Sequence, residues 1–204
     1  MLCGQVPRLT LVAMLIAAAL PVSSQTVPAA TQSSTRFFLG AGASAYHDDF
    51  DGAGHMEGGA FWFDAYPNRG PAFLHGLGFE LEGRDISMGP PPSQPSNLRE
   101  DTAGGGAIYS WRRFHSFNPY GKFMWEHASI DFHVGVPNYN HDTRSLYEGG
   151  AGFDLRLVRN VWLRAGFEEQ FWQHLFGSGP LAMDIRPRGV TLGVSYSFNH
   201  VHLK

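Results

Sequence analysis

Residues 147–172 read YEGGAGFDLRLVRNVWLRAGFEEQFW, and they alternate. From Tyr147 the odd positions are Tyr147, Gly149, Ala151, Phe153, Leu155 and Leu157, and the even ones are Glu148, Gly150, Gly152, Asp154 and Arg156. After the polar break Arg159-Asn160, one side carries Val161, Leu163, Ala165 and Phe167, and the other Trp162, Arg164, Gly166, Glu168 and Gln170. A period of two means strand, because successive side chains of a pleated chain point to opposite faces. Two such runs joined by a few residues predict a hairpin, turning at residues 158–161. One face is apolar and the other is glycine plus charge, which suits a strand with lipid on one side and a polar lumen on the other.

The same pattern recurs along the chain. Phe37, Leu39, Ala41, Ala43 and Ala45 alternate with Phe38, Gly40, Gly42 and Ser44. A second run at residues 55–66 has a blurred parity because Phe61, Trp62 and Phe63 are all aromatic. In the third, residues 73–85, Leu77, Phe79 and Leu81 alternate with Gly78, Glu80, Glu82 and Arg84. A fourth run covers 102–112 and a fifth 120–130, with Phe123 and Trp125 opposite Lys122, Met124 and Glu126. The opening hairpin supplies the sixth and seventh, and 189–198 the eighth, with Val190, Leu192, Val194, Tyr196 and Phe198 on one face. Each run approaches the ~9–11 residues that a tilted membrane strand needs. The connections alternate between long polar loops (47–54, 85–97, 131–145 and 173–186) and tight turns, as long external loops alternate with short periplasmic turns in outer-membrane barrels. An even strand number places both ends of the barrel on the periplasmic side. Aromatics gather near strand ends (Trp62, Tyr66, Trp111, Tyr120 and Trp162 at the turns; Tyr46 and Trp172 at the loops), where amphipathic rings favour a membrane interface.

The N-terminus reads as a targeting segment. Arg8 precedes the apolar run 9–20, and Val22-Ser23-Ser24 offers small residues for cleavage, so residues 1–24 are expected to be a secretory signal peptide. Cys3, the single cysteine, would leave with it, removing any disulfide or thiol chemistry. Residues 25–35, rich in Ser, Thr, Ala and Pro, are expected to form a disordered tail, 36–198 the barrel, and 199–204 a short C-terminal tail. Loss of Arg8 leaves 14 basic against 18 acidic residues, and lysine occurs only at 122 and 204. This acidic balance argues against a nucleic-acid partner, which calls for a basic face. No later run reaches the ~18 apolar residues of a membrane helix, so a membrane form must be a closed barrel, the other structure that satisfies its backbone in lipid.

Taken together, the leader, the eight amphipathic runs, the hairpin GGAGFDLRLVRNVWLRAGFE and the closing GVTLGVSYSF resemble the small outer-membrane β-barrel proteins of the OmpA-like/opacity-protein type. The resemblance covers nearly the whole mature chain and rests on alternation more than on residue identities. It implies an all-β, eight-stranded antiparallel up-and-down transmembrane β-barrel, placed among outer-membrane lipid by the barrel-assembly machinery. It also implies external loops free to meet a surface ligand. Members end on an aromatic strand terminus; Tyr196 and Phe198 fit, but NHVHLK runs on beyond them.

The inward parity collects Glu80, Glu82, Arg84, Arg112, Lys122, Glu126, Glu148, Asp154, Arg156, Arg164 and Glu168. An eight-stranded barrel is just wide enough to be filled by side chains, and buried charges must pair. These residues are therefore expected to interlock as a structural ion-pair network that plugs the lumen, with a small gated pore as the alternative. Glu80 and Glu82 could serve acid–base chemistry, but Arg84 beside them fits the network better. Some barrels of this size are lipid-modifying enzymes with a His and a Ser at the outer leaflet. The adjacent pair here, His115-Ser116, falls in a turn on the opposite side. His47 with Asp48, Asp49 and Asp51, and His200 with His202, lack a metal-ligand spacing, and Gly104-Gly105-Gly106 precedes no helix that would cradle phosphate. No catalytic, cofactor or metal residue is assigned. Asp64, His75 and Glu169 fall on the nominal lipid face and are expected near its edges. A soluble periplasmic ligand-binding barrel, the remaining alternative, needs the apolar face inward.

Overall fold

The computed structural model describes residues 35–47, 54–67, 71, 74–88, 98–112, 115–132, 141–177 and 182–198. The expected leader, nearly all of the N-terminal tail, the C-terminal tail, Asp48, Asp49, Asp51, His200 and His202 lie outside these residues.

Nine strands follow in order: β1 (Thr35–His47), β2 (His55–Pro67), β3 (Leu77–Met88), β4 (Leu98–Ser110), β5 (Phe117–Phe132), β6 (His141–Val158), β7 (Val161–Leu175), β8 (Met183–Ile185) and β9 (Arg188–Ser197). Eight of them pair antiparallel, each with its neighbour, and close through β7–β9 and β9–β1. The eight runs read from the alternation are the eight barrel strands. The short β8 is an addition inside the expected last loop, paired to the end of β7. Closure leaves no sheet edge, so the ladder takes up the backbone polar groups of the wall, as lipid requires.

The wall shows its apolar face outward. Phe61, Phe79, Phe123, Phe167, Leu192 and Val194 are all about half exposed, whereas Glu80, Glu126 and Glu148 are fully buried. Leu77, Leu81 and Tyr196 also point out, which excludes the soluble barrel with an apolar pocket. Glycines on the inner face let large rings lie flat in a narrow lumen. A Cβ at Gly40 would run into the Trp62 indole, and one at Gly189 into the Tyr46 ring.

Three features depart from the sequence reading. Of the aromatics expected at the membrane interface, Trp62, Tyr66, Tyr120, Trp162, Tyr46 and Trp172 are buried inside the barrel, and of those named Trp111 alone is exposed. The other two departures concern individual strands. First, Asp64 is not on the lipid face. β2 places Trp62, Asp64 and Tyr66 together inside, all fully or almost fully buried. The aromatic triplet Phe61-Trp62-Phe63 hid that parity.

Second, β5 and β6 are 16 and 18 residues long and take in much of the expected loop 131–145. Towards this loop end the polarity of the wall inverts. His127, Ser129 and Asp131 of β5 face outward, as do His141, Thr143 and Ser145 of β6, with Asp85 of β3 and Arg99 and Asp101 of β4 beside them. Inside, Tyr46, Met56, Ile86, Leu98, Ala128, Ile130, Leu146, Trp172, Leu175 and Ile185 form one buried cluster. The loop end is thus built like a water-soluble protein, apolar within and polar without, and the rest of the wall like a membrane protein.

Candidate functional site

Among the described residues buried charge is concentrated in the lumen, which has two levels. Nearer the turns, Arg164 of β7 is saturated by three carboxylates. Its Nε donates to Asp154 at 2.9 Å, Nη1 to Glu80 at 2.7 Å and Nη2 to Asp64 at 2.6 Å. Its guanidinium also lies 5.0 Å from the Trp62 ring centre and 4.9 Å from that of Tyr120. Asp154 faces Arg164 directly across the β6–β7 ladder, and Asp64 faces Glu80 across β2–β3. The hairpin register therefore builds half of this level, and packing across the lumen builds the rest.

Nearer the loops, Arg84 donates to Glu82 and, at 2.7 Å, to Glu148, with Glu168 at 3.4 Å. The Lys122 ammonium contacts Glu82 and stands 3.2 Å from each of Glu80, Glu148 and Glu168, tying the two levels together. Arg84 stacks over Tyr46 at 4.6 Å. The Tyr46 hydroxyl donates to Glu168 at 2.9 Å, which also accepts from Thr191 at 2.7 Å. Charges taken out of water cost several kcal/mol each unless matched by partners and hydrogen bonds. This density of contacts supplies that matching for most of the group. Glu126 differs: it is fully buried and neither carboxylate oxygen has a hydrogen-bond partner.

Apolar layers lie at both ends of the charged zone. The large cluster described above covers the loop end. Leu175 and Ile185 are carried there by the end of β7 and by β8. His174, Phe176 and Gly177 adopt positive φ as the chain turns. Asp142 fixes the turn, accepting the Phe176 N–H at 2.7 Å and the Arg144 Nε–H at 3.1 Å. At the turn end Tyr66, Ile108 and Tyr120 form a second cluster with Phe38 packed against it.

Of the residues named from the sequence, Glu80, Glu82, Arg84, Lys122, Glu126, Glu148, Asp154, Arg164 and Glu168 come together within this lumen. Arg112 and Arg156 sit elsewhere, at the turn end. Arg112 lies just past β4 with its guanidinium 4.1 Å from the Tyr66 ring centre. Arg156 is half-buried and donates to the Arg159 carbonyl at 3.2 Å. Asp64, Glu100, Tyr46 and Thr191 were missed. Asp64 was hidden by the blurred parity of β2, and Tyr46 and Thr191 carry no charge to draw notice. Glu169 lies at the loop-side rim, where its carboxylate accepts from Arg188 at 3.0 Å. His75 is exposed beside the first turn. His115 and Ser116 are exposed in the β4–β5 turn, and the Ser116 carbonyl accepts the Arg156 N–H at 2.8 Å.

On the outer surface Arg99 donates to Asp85 at 3.0 and 3.1 Å and to Asp101 at 3.0 Å. The hydrogen bonds to Asp85 and the charges of both carboxylates hold its guanidinium above its ordinary pKa. His141 Nδ1 lies 2.5 Å from Asp131 and its Nε2 3.0 Å from Thr143 Oγ1.

An apolar girdle outside, a packed ionic interior and an up-and-down closure of eight strands define an integral membrane β-barrel of the smallest size class. The family profile described as "Outer membrane protein beta-barrel domain" matches residues 15–198, so the chain belongs to that family of bacterial outer-membrane proteins. Among solved structures it is similar to Ail, the attachment invasion locus protein of Yersinia pestis, with TM-score 0.55 and 16% identity over 81% of this chain and 99% of that one. It is also similar to Neisserial surface protein A (TM-score 0.52, 19% identity, 80% and 97% covered). A major outer membrane protein from Thermus thermophilus gives TM-score 0.51 at 14% identity, with 80% and 99% covered. At these identities the likeness is one of fold. No curated protein matches.

Proposed function

We propose that this protein is a closed, structural outer-membrane barrel that presents a surface for interaction, rather than a channel or an enzyme. The observation that carries the reading is the layering of the lumen: an interlocked charge zone with an apolar cluster on each side of it. Water or a solute crossing that path would have to part Arg164 and Lys122 from several carboxylates at once, which leaves uncompensated buried charge. The interaction surface is the polar outer wall of β3–β6 with the loops it carries. Its mixed charge (Arg99, Asp85, Asp101, Asp131, His141) suits a polar ligand of the cell envelope or of a host. Ail, similar in fold, has been solved in complex with the heparin analogue sucrose octasulfate. In the present chain the arginine at this surface is already paired with acids, so a neutral or mixed-charge ligand fits better than a densely sulfated one. Residues 1–24 act as a cleaved export signal, and the barrel-assembly machinery inserts the chain into outer-membrane lipid. No lumen residue is assigned a catalytic role.

Proteoliposome swelling tests the closed lumen: liposomes carrying the purified barrel should swell no faster in a small sugar than empty ones. Rapid swelling would overturn the reading. Binding of cells displaying the intact protein to envelope and host-surface ligands, compared with cells displaying a form with shortened loops and Arg99→Ala, tests the surface role. Equal binding by both forms would contradict it.

A further inference from the structure

Surface charge is sorted by the end of the barrel. The three turns, residues 67–76, 111–116 and 158–161, carry Arg69, Arg112, Arg113 and Arg159 and not one aspartate or glutamate. Arg36 at the start of β1 and Arg156 near the end of β6 add to that end. Among the described residues the exposed acids, Glu57, Asp85 and Asp184, all lie at the loop end.

Three of these arginines meet over one aromatic floor. Phe38 packs edge-on against Tyr66 at 5.8 Å and against Trp162 at 6.1 Å, which joins the three rings across the turn-side mouth. Arg36 stands two residues before Phe38 on the same face of β1 and pairs with Tyr66 across the β1–β2 ladder. The Arg112 guanidinium lies 4.1 Å from the Tyr66 ring centre, and that of Arg156 lies 5.9 Å from the Trp162 ring centre. All three arginines are half-buried. Beneath the floor, Asp64 and Asp154 are already taken by Arg164. Burial, together with the like charge of Arg36, outweighs those two acids and holds the Arg112 guanidinium below its ordinary pKa. The Arg156 side chain donates to a backbone carbonyl, and neither it nor Arg36 has an ion-pair partner among the described residues. The Tyr66 hydroxyl is also buried at this mouth without a hydrogen-bond partner. Cations gathered in this way raise the local concentration of anions, and the guanidinium fork matches phosphate oxygens in particular. On the outer wall of the same end, Trp111 with Tyr109 and Phe198 with Tyr196 form aromatic pairs. Such rings mark the membrane interface, so lipid headgroups stand at the level of the mouth.

We propose that the turn-side mouth binds a phosphate group, held by Arg36, Arg112 and Arg156 above the floor of Tyr66, Phe38 and Trp162. The phosphate is that of a headgroup in the surrounding leaflet or of a soluble compound on the aqueous side; both offer the same oxygens. The site lies at the opposite end from the loop surface and works independently of its ligand.

The test uses the full barrel refolded in neutral dodecylmaltoside micelles. Inorganic pyrophosphate is the soluble probe, with sodium chloride at equal ionic strength as its control. Phosphatidic acid doped into the micelles is the lipid probe, with diacylglycerol as its control. Native mass spectrometry should show about one phosphate compound retained per barrel, and the unfolding temperature should rise with a phosphate probe but not with its control. Combining Arg36→Gln with Arg156→Gln should weaken binding by about tenfold or more, because charged hydrogen bonds are lost. Arg186→Gln, which removes the same charge from the exposed loop end, should bind as wild type does. If the double variant does not fold, the two single variants are read in its place. A response to phosphatidic acid alone assigns the phosphate to the leaflet, and a response to pyrophosphate alone to a soluble compound; either supports the site. Wild-type protein that binds neither probe overturns the proposal. So does a double variant that binds as wild type, or an Arg186→Gln barrel weakened as much as the double variant, since general charge would then explain the binding.

Discussion

Arg164 is held by Asp64, Glu80 and Asp154 together and sandwiched near Trp62 and Tyr120. Removing it leaves buried Asp64 and Asp154 without their cation and Glu80 with Lys122 alone, so Arg164→Ala should destabilise the barrel by ~3–5 kcal/mol. The combined change Asp64→Asn, Glu80→Gln, Asp154→Asn in that background should recover part of the loss, and urea unfolding in detergent would measure both. At Gly40 the difficulty is space. A side chain there meets the Trp62 indole, and Gly40→Val should cost ~1–3 kcal/mol by overpacking. Alternation made Glu80, Asp154 and Arg164 legible as inward residues, because glycine and charge shared their face. Asp64 was not legible: three aromatics in a row give no period of two, and an acid after them reads as easily outward as inward. Which carboxylate meets which cation was beyond the sequence altogether, since Arg164 finds Asp64 across the lumen from a strand it does not pair with.

β5, and β6 as far as Arg156, keep a single pleat while the meaning of their two faces reverses. In β5 Phe123 and Trp125 point to lipid and Lys122 and Glu126 inward; a few residues on, His127, Ser129 and Asp131 point out and Ala128 and Ile130 inward. From Trp125 to Asp131 the strand runs on for roughly 20 Å, long enough to stand clear of the bilayer. A rule that equates the apolar face with lipid stops at this reversal, which is why the stretch beyond residue 130 reads as loop. The reversal is open to a paired test. Val194→Arg, at the lipid-facing middle of β9, should cost ~2–4 kcal/mol, whereas Thr143→Arg on the outer wall of β6 should cost almost nothing. Equal costs, read from unfolding in lipid bilayers, would mean that the polar wall is in fact within the membrane. The end of β7 also has an identifiable fastening in Asp142, which holds the Phe176 amide. Asp142→Ala removes a hydrogen bond to a charged acceptor worth ~1.5–3 kcal/mol. Hydrogen exchange at Phe176 should therefore speed up by roughly tenfold or more, with amides in mid-β7 unchanged. The positive φ values at His174, Phe176 and Gly177 and the short β8 had no signature in the sequence; only Gly177 is a residue that advertises such a conformation.

Across the whole molecule, two solvents decide the design. Lipid demands a closed ladder and an apolar girdle, and the eight strands supply both. The aqueous side permits an ordinary apolar core, and the loop ends of the strands build one directly over the charged lumen. The strand count, the closure and the side on which the long connections lie were all readable from periodicity and turn chemistry, since each depends on local pattern. The covering of the lumen was not, because Leu175 and Ile185 come from a segment that pairs only briefly and folds in over residues distant in sequence. The family places this architecture in the outer membrane, and under the function proposed above the layered interior makes it a closed body whose working surface is the part that stands outside. Single-channel recording on the purified full barrel in a planar lipid bilayer tests that account most directly. Wild-type protein should give a silent trace at moderate voltage, with at most rare, brief openings. Large, steady conductance steps would contradict it.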